Sequence, residues 1–140
     1  MVFSQPTTKF SIRVMIVNDK GQVLLGLKKK GFHARYWIFP GGQIEFGETV
    51  EECGIREVRE ESALNIKVKG LLDVASEIQN EKHVVFLHLL ASGEGFPIVT
   101  EPEEVVEWRW FDTGMLPDRT TLSVLNAIHK YKQGQVVIPV

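Results

Sequence analysis

Between Pro40 and Leu64, acids, an arginine and two glycines recur at spacings that suit the binding of a divalent cation beside a phosphate chain. Glu57, Glu60 and Glu61 fall at i, i+3 and i+4, so on a helix their carboxylates share one face. Like charges that close destabilise a bare helix. A hard cation such as Mg²⁺ relieves the repulsion, because it prefers carboxylate oxygens, water and substrate phosphates. Read blandly, the same residues are a solvated helix face with Glu52/Arg56 and Glu57/Glu61 as surface charges. The Pro40-Gly41-Gly42 turn ahead of them, and the spacing of Glu48 and Arg56, favour the metal reading, with Glu48 and Arg56 paired to brace the loop against the helix.

The elements that must hold these groups follow from local signals. Pro40 lacks a donor and glycine permits positive φ, so no strand continues through the turn and backbone carbonyls are freed there. Thr49 with Glu52 three positions on has capping-box spacing, which predicts a helix from about Thr49 to Ser62. Residues 10–18, apolar and β-branched, predict a strand, turned by Asn18-Asp19-Lys20-Gly21 into a hairpin partner at 23–27. Trp37 to Phe39 is a short strand feeding the turn. Ile66–Ile78 and His83–Leu90 form a second hairpin, and residues 105–111 another strand with Val105, Glu107, Arg109 and Phe111 on one face and Val106, Trp108 and Trp110 on the other. These tryptophans read as core before they read as a stacking platform for a base. A last helix from about Thr121 to Lys132 carries Leu122, Leu125, Ile128 and His129 at helical spacing and ends at Gly134.

The run Gly42-x5-Glu48-x7-Arg56-Glu57-Val58-x-Glu60-Glu61-x-Ala63-Leu64 resembles the box of the Nudix hydrolases, Gly-x5-Glu-x7-Arg-Glu-U-x-Glu-Glu-x-Gly-U with U a bulky aliphatic residue. Every charged position is filled. The departure is Ala63, where the family has Gly to ease a left-handed helix exit. The flanking WIFPGG, EFGET and EWRWFDTGMLP are similar to segments of MutT-type members, so the likeness runs from about Phe10 to Lys132. The resemblance implies an α/β fold, an α/β/α sandwich with a mixed β-sheet, and an Mg²⁺-dependent pyrophosphohydrolase, with Mn²⁺ as a possible substitute. It implies that Glu57, Glu60 and Glu61, with the Gly41 carbonyl, bind metal, and that Arg56 and Glu48 belong to the catalytic machinery. The water-activating base stays open between the box carboxylates and Glu101, Glu103 or Glu104.

Lys28, Lys29, Lys30 and Arg35 precede the box, where their charge suits a triphosphate tail, although a solvated lysine run is the commoner reading. With Lys28, Arg35 and Gly42, Ile38 is a substrate-side candidate, apolar where some MutT-like enzymes place a polar residue towards the base. The four histidines have no metal-ligand spacing and read as structural or surface residues, with His33 the one to test. The implied reaction converts a (deoxy)nucleoside triphosphate to monophosphate and pyrophosphate. Alternatives are cleavage of ADP-ribose, an NDP-sugar or a dinucleoside polyphosphate, and a nucleotide-binding module without turnover. The ADP-ribose mark, a Pro about sixteen residues past the box, and the dinucleotide Tyr are absent at Gln79, Asn80 and Glu81.

A chain of 140 residues fits a single domain, 1–140, with a normal core. A net charge of −2 lacks the basic face that long nucleic acids favour. The single Cys53 excludes an intrachain disulfide and reads as a buried structural thiol, which points to a reducing, cytoplasmic setting. No apolar run is long enough for a membrane span, and Met1 to Lys9 lacks an apolar signal core. The expected partner is a small nucleotide. Monomer and homodimer both stay open.

Overall fold

The computed structural model describes residues 7–140; the beginning of the polar stretch read as lacking a signal, residues 1–6, lies outside the described residues. Its elements run β1 (Thr7–Val17), β2 (Val23–Lys28), β3 (Trp37–Ile38), β4 (Gly41–Gln43), α1 (Val50–Ser62), β5 (Ile66–Gln79), β6 (Lys82–Gly93), β7 (Val105–Phe111) and α2 (Leu122–Lys132). They build a mixed sheet of order β3-β2-β1-β6-β5, with β4 also on β1 and β7 on β2. β1 and β6 are parallel from Thr7↔Lys82 to Val17↔Ser92. The β1–β2 hairpin closes through the Asn18 turn but pairs only at Val17↔Val23. Beyond it β2 diverges to meet β7 and β3, and the space it leaves on β1 is taken by β4 through Ser11↔Gln43, Ile12↔Gly42 and Arg13↔Gly41. That splay brings Gly41 and Gly42 to the middle of the sheet as strand residues of β4, which corrects the reading of them as a turn. Gly41, with φ of 150° and no Cβ, lets the chain pass directly from Pro40 into pairing with β1.

Strand alternation then sorts side chains between two helix layers. Ile12, Val14, Ile16, Leu24 and Leu89 join Cys53 and Val58 of α1 in one core. Met15, Val23, Leu25 and Leu90 join Val124, Ala127 and Ile128 of α2 in the other. This is the α/β/α sandwich. No helix among the described residues is long and apolar enough to cross a membrane.

Three further readings of the sequence are corrected by the fold. Val105 and Trp108 are both buried in the α1-side core, whereas simple alternation puts them on opposite faces. The cause is a bulge: β7 spends three steps from Val105 to Trp108 while β2 spends two from Lys28 to Gly26, which moves Val105 onto the tryptophan's face. On α2 the buried positions are Val124, Ala127 and Ile128, while Leu122 is 69% and Leu125 40% exposed, so the helix is rotated from the stripe its leucines suggest. The second hairpin strands extend to Gln79 and Gly93, turning on Asn80, whose φ of 56° is left-handed. Trp108 lies in the core, as expected, and its Nε1–H serves α1.

Candidate active site

α1 is fixed at its start by its own capping residues and at its end largely by groups drawn from elsewhere. At its start Thr49 accepts from the Glu52 amide at 3.1 Å and Glu52 accepts from the Thr49 amide at 2.9 Å, the predicted capping box. At its end the last four carbonyls would be orphans. Ala63, in the left-handed conformation at φ 63°, donates to Arg59 O at 2.9 Å, so alanine makes the exit that glycine makes in the box pattern. Thr100 Oγ1 donates to Glu60 O, Trp108 Nε1 to Glu61 O at 2.9 Å and the Ile98 amide to Ser62 O at 2.9 Å. The loop after β6 is thereby stitched to the turn of α1 that carries Glu60 and Glu61.

Arg56 organises the acids. Its Nε and Nη2 form a fork on Glu48 at 2.9 and 2.7 Å, and Nη1 donates to Glu57 at 2.8 Å and Glu60 at 3.2 Å. The hydrogen bonds from Arg56 and the neighbouring backbone hold the Glu48 carboxyl down at about 2, and the same contacts push Arg56 up. Cys53, buried beneath, is raised to about 12 by burial and then by Glu48, which leaves it a thiol.

Two glycines set the other wall. Gly41 has φ of 150°, and a Cβ there would lie 1.9 Å from Ile12 O. A Cβ on Gly42 would lie 2.4 Å from the Glu57 carboxyl, so that carboxylate rests in a cradle only glycine leaves open. The Gly41 amide donates to Glu61 Oε1 at 3.0 Å, while its carbonyl, the anticipated metal ligand, accepts from Arg13 Nη1 at 3.3 Å. Arg13 also donates to Phe39 O and Ser11 Oγ. Burial lowers the Arg13 guanidinium, with Glu61 and Glu57 acting against that shift. Burial pushes Glu61 up to about 8, helped by Glu57 and Glu101 and opposed by Arg13 and the Gly41 amide. Glu101 is raised by burial and then by Glu57 and other acids. Arg13 escaped the sequence reading; its one signal is a lone cation inside an apolar strand.

The donor set suits a hard cation: three carboxylates and a carbonyl, all oxygen, with a Glu61 carboxyl whose ionised form Arg13 and the Gly41 amide compensate only in part. Among the described residues no three acids or histidines converge as a finished metal cage. Arg56 draws Glu57 and Glu60 one way and the Gly41 amide draws Glu61 another. A hard divalent cation that keeps several waters and takes substrate phosphates as ligands needs only such a partial set from the protein.

A cleft of about 710 Å³ opens from this cluster. Its lining includes Gly41, Gly42, Glu57, Glu61 and Glu101 of the acidic cluster, the cations Lys28 and Lys30, and Ile38, His33 and Phe86. Lys28 and Lys30 reach Glu104 at 3.1 and 3.7 Å, and Lys28 foremost holds that carboxyl down. Of the residues anticipated on the substrate side, Lys28, Ile38 and Gly42 line the cleft. Arg35 is exposed in the preceding loop and is not among its lining residues. Glu48, Arg56 and Glu60 are not among the lining residues, and Arg56 ties Glu48 and Glu60 to the lining carboxylate Glu57.

A model described as the NUDIX domain matches residues 7–130. An oxidized purine nucleoside triphosphate hydrolase of Danio rerio is 35% identical over 116 residues, which covers 79% of this chain and 70% of that protein. An ADP-ribose pyrophosphatase of Methanocaldococcus jannaschii is 33% identical over 107 residues, 73% of this chain and 61% of that protein. The crystal structure of a MutT NUDIX hydrolase from Burkholderia pseudomallei matches with a TM-score of 0.81 at 31% identity, covering 89% of this chain and 98% of that one. With the box intact on α1 and the family model spanning most of its length, the chain belongs to the NUDIX family and is a hydrolase of it.

Proposed function

We propose that residues 7–140 act as one domain that hydrolyses a nucleoside triphosphate to monophosphate and pyrophosphate with Mg²⁺, Mn²⁺ serving as a substitute. The observation that carries this reading is one cleft whose lining joins the carboxylates Glu57, Glu61 and Glu101, lysines that include Lys28 and Lys30, and the apolar and aromatic side chains Ile38 and Phe86. A polyphosphate needs its charge neutralised before an oxygen nucleophile approaches, and a planar base needs an apolar surface. The kinship with an oxidized purine nucleoside triphosphate hydrolase and a MutT hydrolase points the same way.

Glu57, Glu60, Glu61 and the Gly41 carbonyl would hold the metal, which when bound neutralises phosphate charge and lowers the barrier to attack by water. Arg56, locked to Glu48, sets the direction in which Glu57 and Glu60 point. Lys28 and Lys30 receive the phosphate tail. Arg13 places a fixed cation between the Gly41 carbonyl and the Phe86 ring, whose centre lies 5.8 Å away. Glu101, a cleft acid with a raised carboxyl, is suited to take the proton of the attacking water.

A panel of nucleoside triphosphates, ADP-ribose, UDP-glucose and a dinucleoside polyphosphate, assayed for pyrophosphate and monophosphate release with Mg²⁺, tests this. In oxygen-18 water the label should enter pyrophosphate, as attack at the β-phosphorus requires. Label confined to the monophosphate moves the attack to the α-phosphorus and refutes the stated route. ADP-ribose cleaved much faster than every triphosphate replaces this reading with the activity named for the ADP-ribose pyrophosphatase relative.

A further inference from the structure

Beside the cleft the α2 face of the sheet holds a buried polar chain that the hydrolytic cluster does not use. Asp73 of β5 accepts from His88 Nδ1 of β6 at 2.5 Å and from Lys130 Nζ of α2 at 3.1 Å. The His88 and Asp73 side chains are 1% and 4% exposed. Burial alone would raise the Asp73 carboxyl; the bonds from His88 and Lys130 outweigh it and leave the carboxyl below its usual range, so Asp73 is an acceptor. Facing a carboxylate, His88 keeps its proton on Nδ1, and in the neutral ring Nε2 presents a lone pair.

Among the described residues nothing bonds to that Nε2. The His88 side chain lines a hollow of about 10 Å³ whose lining also includes Arg13, His33, Phe39, Phe86 and the hydroxyl-bearing Thr121 and Ser123. That is room for about one water-sized group and not for a ring. The walls are flat: Phe86 stacks on His88 at 6.2 Å and 13°, His33 on Phe86 at 6.0 Å and 25°, and Phe39 meets His88 edge-on at 5.4 Å. Arg13, His33, Ile38 and Phe86 line this hollow and the cleft alike, so a planar ring lying in the cleft against Ile38 and Phe86 would push one edge group towards Nε2.

We propose that His88, held by Asp73 and Lys130, is a specificity-determining residue that accepts a hydrogen bond from an N–H group on the edge of the substrate's base. A buried hydrogen bond between a neutral imidazole and a carboxylate by itself adds little net stability, and an apolar cluster would fill this face of the sheet as well. A fixed tautomer aimed at a hollow gives the pair a use. The inference rests on the nucleotide reading of the cleft given above.

Kinetics and NMR test it separately. In His88→Phe the KM of the preferred nucleoside triphosphate should rise about 10- to 100-fold with little change in kcat, as when one hydrogen bond to a bound polar edge is lost. His88→Gln, which retains an acceptor, should recover part of the loss. Inhibition by deoxyribose 5-triphosphate, which has no base, should be equal in wild type and variants. In the wild-type protein, a nucleoside monophosphate should shift the ¹⁵N resonance of His88 Nε2, and ribose 5-phosphate should not. Unchanged KM in folded His88→Phe, equal losses for the baseless inhibitor, or an Nε2 resonance indifferent to the base overturns the proposal. Wild-type protein that hydrolyses no triphosphate overturns the functional reading instead, and the NMR titration still decides on His88.

Discussion

Gly42→Ala separates the geometry of the site from the stability of the fold. Gly42 has ordinary backbone dihedrals for any residue, so alanine adds no strain of its own, and its Cβ would lie 2.4 Å from both Cδ and Oε2 of Glu57. Restoring an ordinary contact of about 3.4 Å requires the carboxyl to retreat by about 1 Å, and the side chain is long enough to do so. Its bond to Arg56, 2.8 Å and partly exposed, is the one interaction put at risk, worth about 0.2–1 kcal/mol. Replacing glycine by alanine gains about 0.4–1 kcal/mol from the unfolded chain. These offset, and stability by urea unfolding should stay within about 1 kcal/mol of wild type. Activity should not: a misplacement of about 1 Å at a catalytic group costs about 100-fold, or about 2.7 kcal/mol of barrier. The neighbouring Gly41→Ala is the contrast, because its Cβ meets the backbone of Ile12 and its φ is 150°. Strain and overpacking together should cost it about 2–6 kcal/mol. Wild-type kcat/KM for pyrophosphate release by Gly42→Ala would refute the cradle, and with it the placing of Glu57 in the site.

Glu61→Gln should lower kcat by about 100- to 1,000-fold, since a neutral amide is a poor substitute for a buried carboxylate facing developing charge. Because burial lifts the Glu61 carboxyl to about 8, its ionised form weighs against folding as pH rises above 4.5, so in metal-free buffer near neutral pH this variant should melt no lower than wild type. A marked drop in melting temperature would contradict that sign. The lowered Glu48 carboxyl works oppositely: its contribution is complete above 4.5 and is lost as pH falls through about 2. The difference in melting temperature between wild type and Glu48→Gln should therefore narrow on acidification below 4.5, and a constant difference would show that the Arg56 fork is not its source. On α2, Ile128→Ala should cost about 2–5 kcal/mol and Leu125→Ala about 0.5 kcal/mol or less, and equal losses by chemical denaturation would restore the leucine stripe as the packed face.

What could be read from the chain alone was local. The capping box at Thr49 and Glu52 and the pairing of Glu48 with Arg56 depend on residues within a few turns of one another and are satisfied by those neighbours in the structure. The extent of the strand at 105–111 was legible from its own β-branched and aromatic residues. The MutT-like segments carried the fold class for the same reason, since their order along the chain is the order of the elements. What remained hidden depends on contacts distant in sequence. The β7 bulge exists because β2 must pair with it while Gly26 and Lys28 stay in register, and no alternation rule contains that partner. The rotation of α2 is decided by which of its sides meets Met15, Val23 and Leu90. Arg13, Asp73, His88 and Lys130 each look ordinary in their own segments; they acquire meaning only when β1, β5, β6 and α2 bring them beside the cleft. The sequence by itself therefore determined the helix that carries the acids and the chemistry those acids imply, because both are written in short-range spacing. The tertiary structure decided how Arg56, Gly41 and Gly42 aim them and what lies opposite, because burial and charge are properties of the packed chain.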